Sequence, residues 1–584
     1  MSKQIWKALD NLSPSDIKLS QLPRKPDGLH NLSFNVYGQL VKRAGYAKYN
    51  LTSLGEGHKI TGLHRFYTQA NLKEFLCSWN TKIYKLSETT PWAGTALYST
   101  GTTDFTVTAD KDTYFCDFLN TCYFLNGYDG VFKYDRTFVR ILGITPPAAK
   151  PTGTSPTGGS LGTGNYGVCY TYVDEDGYES NPSPVSDAIA CTANDKITLA
   201  IVVSSDAKVT KRNIYRTSVN GAIYYFDKEV ANNTAITVDL TQADGTLGTE
   251  VTTDHTAPET TSHLIAKRRS RLYLAYNNYL YPSYISDVEY FPPLWRLRTG
   301  NSQKITGLLE QLTALPIATE DSIERLVGTD EDNFELINSY STEGCVAIRS
   351  YVNCDNLIVY LGYNGINYFD GVTSGIFSEA VNKYIKDNIV DAYAYLSCAV
   401  YWDNKYILCY PKTGSTVPNE AIYIDLKNKT YGVYNYSFSC FSEWSRGTDG
   451  LRLFGGSNTE GQVYEIDSGL DDAGSAITAY DSIEPLDLGM PEVYKQWYSV
   501  FVKIKSTLGT AFKFYYKLDN DADWSLAEKT LTANTTKWYR ISLGSGGKRA
   551  RTLTPRPYMS DKYYFAIEGY MVCYEIETFA EEKD

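Results

Sequence analysis

Residues 360–371 read YLGYNGINYFDG: aromatic and aliphatic residues on both sides of an Asn-Gly pair, closing on Asp-Gly. Such a pair between alternating apolar runs is the strongest short-range signal for a β-hairpin, because a two-residue I′ turn needs positive φ at both central positions. The stretch predicts two strands joined at Asn364–Gly365. Variants of the same grammar occur at 123–135 (YFLNGYDGVFKYD), 272–283 (LYLAYNNYLYPS), 318–328 (ATEDSIERLVG) and 454–467 (FGGSNTEGQVYEID).

Taking polar turns as markers gives positions near Gly38, Asn80, Asp129, Asn278, Asp321, Gly365, Gly414 and Glu460. Six of the seven separations lie between 42 and 49 residues, and the remaining one is 149. A repeat of hairpins at about 40–50 residues, without helices, predicts a β-propeller of six to eight four-stranded blades, seven by preference. The long interval equals one blade plus a small inserted domain. Its flanks are ITPPAAKPTGTSPTGGSLGTG (144–164) and DHTAPETTSH (254–263), both rich in turn formers.

The expected organisation is therefore all-β: an N-terminal arm at 1–30, a first part of the propeller at 31–145, an inserted sandwich at 146–258, a second part at 259–483, and a C-terminal β-sandwich at 484–584. Within the arm, one or two helical turns are expected around Ile5 to Leu9, followed by a loop through LPRKPDG (22–28).

Bulk composition agrees with this class. The chain has 584 residues, 14% of them aromatic with 50 Tyr, which suits half-buried pleated surfaces and large interfaces. Net charge is -12, which disfavours a general nucleic-acid binder, because such proteins cluster Lys and Arg to displace counterions. No apolar window is long enough to span a bilayer and the N-terminus has no signal-peptide pattern, so a cytosolic origin without a membrane segment is expected. The 11 Cys are scattered through apolar runs and read as mostly buried thiols; Cys116 with Cys122, the nearest approach to a zinc spacing, is a poor one.

Several segments resemble known folds. TYVDEDGYESNPSPVS (171–186) looks like the end of a fibronectin type III or immunoglobulin-like domain and IYRTSVNGAIYYF (214–226) like an earlier strand pair of it, here in reversed order. PDGLHNLSFNVYGQLVKRAGYAKYN (26–50) resembles the opening of structural proteins from tailed bacteriophages. AKRRSRLYLAYNNYLYPSYISDVEYFPPLW (266–295) is similar to a later blade of those proteins, and GKRARTL with FAIEGYMVCYEIETF (547–553, 565–579) to their terminal sandwich. The resemblance is to tail or head-to-tail proteins of the nozzle or closing-protein kind. It implies a non-enzymatic virion component, assembled in the host cytoplasm into a cyclic homo-oligomer, sixfold favoured. Its implied partners are other tail or adaptor proteins, and genomic DNA that passes through the lumen without tight binding.

The rival expectation is a glycan-binding propeller, a virion adhesin or surface lectin, carried by exposed Tyr or Trp. Catalysis is not expected, and neither is a cofactor or metal. The carboxylates of DEDGYE (174–179), DDAG (471–474) and DNDAD (519–523) read as solvated turns, because a glycosidase pair needs one shared pocket. His58 and His64, six residues apart on a strand, read as structural polar positions. LGSGGKRARTL (543–553) lacks the spacing of a phosphate loop and reads as a hairpin. The one conspicuous charge run is Lys267, Arg268, Arg269 and Arg271: either the solvated lead-in to a strand or a set of candidate partner or phosphate contacts. Lys42 and Arg43 could act alike in the first hairpin.

Overall fold

The computed structural model describes residues 5–8, 22, 24–87, 93–312, 314–339, 341–377, 379–445, 450–519 and 521–577. Strands make up 50% of the protein and helix 4%. Seven antiparallel four-stranded units follow one another along the chain, or nearly so, six of them separate sheets and the sixth in order the first four strands of a nine-stranded sheet. The first is Ile60–Tyr67, Lys73–Trp79, Lys82–Leu86 and Gly94–Ala96; the second is Tyr114–Phe118, Thr121–Leu125, Val131–Tyr134 and Val139–Ile141. The third to sixth begin at Leu264–Arg268, Gly307–Leu308, Val352–Cys354 and Cys398–Trp402. The seventh, Phe438–Trp444, Arg452–Ser457 and Val463–Ile466, takes its fourth strand, Tyr46–Lys48, from the other end of the chain.

At six of the seven junctions neighbouring sheets meet through their first strands, the first strand of the seventh lying against that of the first. One cavity is lined by Leu63, Phe115, Ile265, Leu308, Val352, Ala399 and Phe441, one residue from each first strand. Between sheets the chain buries aromatic clusters; Phe75, for example, stacks on Trp444 with centroids 5.3 Å apart, joining the first sheet to the seventh. No sheet could bury both faces alone, so each depends on its neighbours.

Seven of the eight turn markers fall at the junctions of second and third strands, six in the turn itself and Gly365 as the first residue of its third strand. The exception is Gly38. The YLGYNGINYFDG turn also sits one residue earlier than expected: Gly362 pairs with Gly365, leaving Tyr363–Asn364 as the turn. Gly365 has the expected positive φ, 111°, and is needed for a second reason as well. A side chain there would strike Asn382, 2.6 Å from the position of its Cβ, on helix α1, Glu379–Asn388. Asn382 Oδ1 accepts the Ile366 N–H at 2.8 Å, so the helix docks directly on the hairpin.

The inserted segment carries two three-stranded sheets and a two-stranded ribbon between Thr152 and Leu240. They enclose a common core that includes Val168, Tyr170, Leu199, Ile214 and Leu240. Charged groups fasten it to the second and third sheets. Lys133 Nζ of the second sheet, held by Glu289 Oε1 of the third unit at 2.6 Å, also meets Asp176 Oδ2 of the inserted segment at 3.3 Å, and Lys208 Nζ of that segment donates to the carbonyls of Ile141, at 2.7 Å, and Gly143.

At the termini the expected boundaries shift. Ile5–Ala8 is a strand on the last strand, Phe565–Ile576, rather than a helical turn; Leu9 lies outside the described residues. Arg24–His30, within the expected loop, is a strand between the sixth sheet and Ile477–Ile483, making a nine-stranded sheet. The Gly38 hairpin, Leu32–Phe34 with Leu40–Lys42, pairs with Phe565–Ile576 instead of forming a repeat sheet. Leu29, Leu32, Phe34 and Leu40 therefore complete the C-terminal core with Trp497, Phe512 and Phe514. Residues 484–584 do not stand apart. Their two sheets need these apolar residues, and a buried pair, Arg24 Nε to Asp481 Oδ1 at 2.7 Å, locks the junction.

Candidate functional site

The turns joining first to second strands lie on one face, a rim linked at five of the seven junctions. Lys73 Nζ reaches the Ser445 carbonyl at 2.6 Å, the Gln69 N–H reaches Asn120 Oδ1 at 2.8 Å, and Lys267 Nζ reaches the Asp117 carbonyl at 2.9 Å. Further round, the Leu312 N–H donates to Asn356 Oδ1 at 2.9 Å and Tyr401 Oη to Asp355 Oδ2. These links connect seventh to first, first to second, second to third, fourth to fifth and fifth to sixth.

Aliphatic side chains stand exposed on these turns: Leu72, Leu119, Leu451 and Leu312, the last 86% exposed. Leu294, 94% exposed, lies on a connection between third and fourth strands, which opens on the same side. Leu119 is doubly unfavourable. It has φ of 54°, a conformation suited to Asn or Asp, and the equivalent turns use Asp355 at 52° and Asp403 at 48°. An exposed leucine held in the left-handed region is the sort of local conflict found at functional surfaces.

The basic run does not form one patch. Arg268 and Arg271 are buried. Arg268 donates to the Leu326 carbonyl at 3.2 Å; Arg271 pairs with Glu331, donates to the Ser283 carbonyl at 2.5 Å, and lies over the rings of Trp295 and Phe334. Lys267 and Arg269 are exposed on the rim, Arg269 at the left-handed turn position matching Leu119. Lys42 and Arg43 are also interior: Lys42 donates to the Leu470 and Asp561 carbonyls, and Arg43 binds Asp472. They are braces rather than external contacts.

The cavity where the first strands converge holds about 280 Å³ and is crossed by Arg349. Its guanidinium donates to the carbonyls of Ser439, at 2.9 Å, and Thr61, lies over the ring of Tyr114, and stands 3.6 Å from Asp112 Oδ1. Burial opposes ionisation of Asp112, yet Arg349 and Lys59 beside it hold its carboxyl below the usual range. The sequence offered no signal for this residue; its role depends on groups from three distant sheets.

On the opposite face, the turn after Leu357–Gly362 and the segment following α1 border a pocket of about 330 Å³. Val346, Leu361, Ile385 and Ile389 give it an apolar lining, and Glu320, Lys386 and Asp391 polar groups. Tyr363 and Tyr395, both more than half exposed, stand at it, and Tyr363 Oη donates to Glu320 Oε2 at 2.8 Å.

The other sequence candidates are structural in geometry. Asp174 Oδ1 accepts the N–H groups of Asp176 and Tyr178, closing the DEDGYE turn. His58 pairs with Asp110, and His64 with Asp117 in the adjacent sheet. The loop before Lys548 links two strands, Thr535–Ser542 and Lys548–Ala550. All 11 Cys are free and buried. No helix among the described residues is long and apolar enough to cross a membrane.

No protein-family model matches this chain, and no curated protein does. Among solved structures, apo AztD from Citrobacter koseri is similar over 64% of this chain and 88% of its own, with 11% identity and a TM-score of 0.29. Sqt1 from Saccharomyces cerevisiae is similar over 72% of this chain and 99% of its own, with 6% identity and a TM-score of 0.32. An exo-beta-1,3-galactanase from Phanerochaete chrysosporium covers 81% of this chain and 98% of its own, at 9% identity and a TM-score of 0.17. At such scores the likenesses carry no argument about function.

Proposed function

We propose that the chain is a non-enzymatic structural component of a bacteriophage tail: a seven-bladed propeller with an inserted immunoglobulin-like domain and a C-terminal sandwich, assembling into a cyclic homo-oligomer. The observation that carries the assembly role is the rim, where exposed leucines, one of them in a strained turn, top a rigid ring of sheets. Such a surface suits a permanent protein contact, since apolar area there costs solubility unless it is covered. The tail and virion assignment is drawn from the sequence resemblance. Arg349 lines the cavity where the first strands converge, and in this reading DNA passes between subunits.

Electron microscopy of the purified protein tests the assembly directly: cyclic rings are expected, and a uniform monomer at micromolar concentration overturns the reading. Leu119→Ser with Leu312→Ser should abolish rings or binding to tail partners while leaving the thermal transition of the chain in place.

A second reading is favoured by the Tyr363–Tyr395 pocket, whose size, aromatic edges and few polar groups suit a sugar ring. Saccharide binding lost in Tyr363→Ala, with ring assembly intact, would assign a glycan-binding role to the face opposite the rim.

A further inference from the structure

Between the first and second sheets, three side chains of different chemistry converge. Asp117 and Cys122 are directly opposed on Tyr114–Phe118 and Thr121–Leu125, so the hairpin register sets their side chains beside each other. His64 comes from the first strand of the neighbouring sheet, with Nε2 2.7 Å from Asp117 Oδ1. Its ring is fixed by stacking on Phe115, 5.2 Å between centroids and 5° from parallel. One imidazole nitrogen, one carboxylate oxygen and one sulfur all lie within 4.8 Å of one another. Among the described residues this is the one group of three such donors so close together.

We propose that His64, Asp117 and Cys122 form a zinc site with one open coordination position. The donor set selects the metal: a thiolate with imidazole and carboxylate suits Zn²⁺, whereas Mg²⁺ and Ca²⁺ take oxygen ligands. Ligand separations in a tetrahedral zinc site are roughly 3–4 Å, given bonds of about 2.0–2.3 Å. The present cluster therefore needs only a small opening of the His64–Asp117 contact. Access exists, because the His64 and Asp117 side chains are 20% and 19% exposed while Cys122 is buried behind them. The Lys267 ammonium is nearby but is held on the Asp117 backbone carbonyl, leaving the carboxylate for the metal. On binding, the Cys122 Sγ–H bond is broken and its proton goes to solvent. Sulfur, Nε2 and a carboxylate oxygen each donate a lone pair, and water fills the fourth position.

The sequence alone points elsewhere, to Cys116 and Cys122 together. Adjacent-strand geometry separates them: Cys116 pairs with Tyr123, and side chains alternate faces, so Cys116 and Asp117 lie on opposite faces of the sheet.

The test uses the reduced, chelator-stripped full chain titrated with Co²⁺ alone and then with Zn²⁺. One equivalent of cobalt should bind with a thiolate-to-cobalt charge-transfer absorption, and Zn²⁺ should displace it. The absorption should vanish in Cys122→Ser and persist in Cys116→Ser, and cobalt affinity should fall roughly tenfold or more in His64→Gln. His64 is partly exposed, so that variant keeps the assay meaningful if Cys122→Ser folds poorly; far-ultraviolet circular dichroism checks its fold. Absence of the absorption in the parent chain, its survival in Cys122→Ser, or unchanged affinity in His64→Gln overturns the proposal.

Discussion

Arg43 grips both carboxylate oxygens of Asp472, Nη1 to Oδ1 at 2.8 Å and Nη2 to Oδ2 at 2.6 Å, while its guanidinium lies over the ring of Tyr436, 4.6 Å from the centroid. The pair joins the approach to the strand Tyr46–Lys48 with the segment that leaves the seventh sheet, so it braces the point where this N-terminal strand enters that sheet. Only 2% of the Arg43 side chain is exposed. Arg43→Ala should therefore destabilise the protein by about 3–5 kcal/mol, since removing one partner strands a largely buried charge. Denaturant unfolding measures this, and a loss below about 1 kcal/mol would show that the brace is dispensable.

The axial arginine should matter in a different way. Arg349→Met removes one donor from carbonyls of two sheets and leaves Asp112 with Lys59 as its remaining ion-pair partner. A cost of roughly 2–4 kcal/mol is expected. Hydrogen exchange should rise at the first strands of the first and seventh sheets rather than in the inserted domain, where protection should be unchanged.

Stability should fall in mild acid. Burial lowers the His263 imidazole to about 4, with its hydrogen bond to the Ile305 carbonyl opposing the shift only partly; His30 is lowered to about 4 chiefly by burial too. Unfolded histidine titrates near 6.5, so between about pH 6.5 and 4 the unfolded chain binds protons that the folded chain refuses. This contribution is fully present above pH 6.5 and is lost as pH falls, by up to roughly 3 kcal/mol per residue. His263→Gln should flatten that part of a stability–pH curve, and an unchanged slope would contradict the assignment.

Thiol reactivity gives a further check. Burial pushes the Cys77 and Cys122 thiols well above their usual range and Cys116 up to about 12. A thiol reagent should find almost no fast-reacting group in the native protein and all 11 after denaturation without reductant. Fast native labelling of several thiols would mean that the sheets open readily.

The repeat was legible because it is local. Asn80, Asp129, Asn278, Asp321, Gly365, Gly414 and Glu460 all mark junctions of second and third strands, and turn chemistry is set by the few residues involved. Gly365 keeps the positive φ that its turn chemistry implied, 111°, but the second constraint, the approach of Asn382 from α1, was not visible in the sequence. The basic run was equally ambiguous. Strand alternation and partners such as Glu331, 60 residues on, turn Arg268 and Arg271 inward and leave Lys267 and Arg269 outside.

By itself the sequence determined the β class, the spacing of the hairpins and the burial of the thiols. All follow from alternation, turn residues and composition, which act over a few positions. The expected entry linker, 144–164, instead contains the strands Thr152–Thr154 and Thr157–Leu161. Tertiary structure decided which strands join distant partners: Tyr46–Lys48 entering the seventh sheet, Arg24–His30 bridging into the nine-stranded sheet, and Leu32 and Phe34 filling the C-terminal core. It also decided the Arg349 brace and the convergence of His64, Asp117 and Cys122. Hydrogen-bonding edges and apolar faces do not encode their partner's place in the chain; only the packing of all the sheets together selects it.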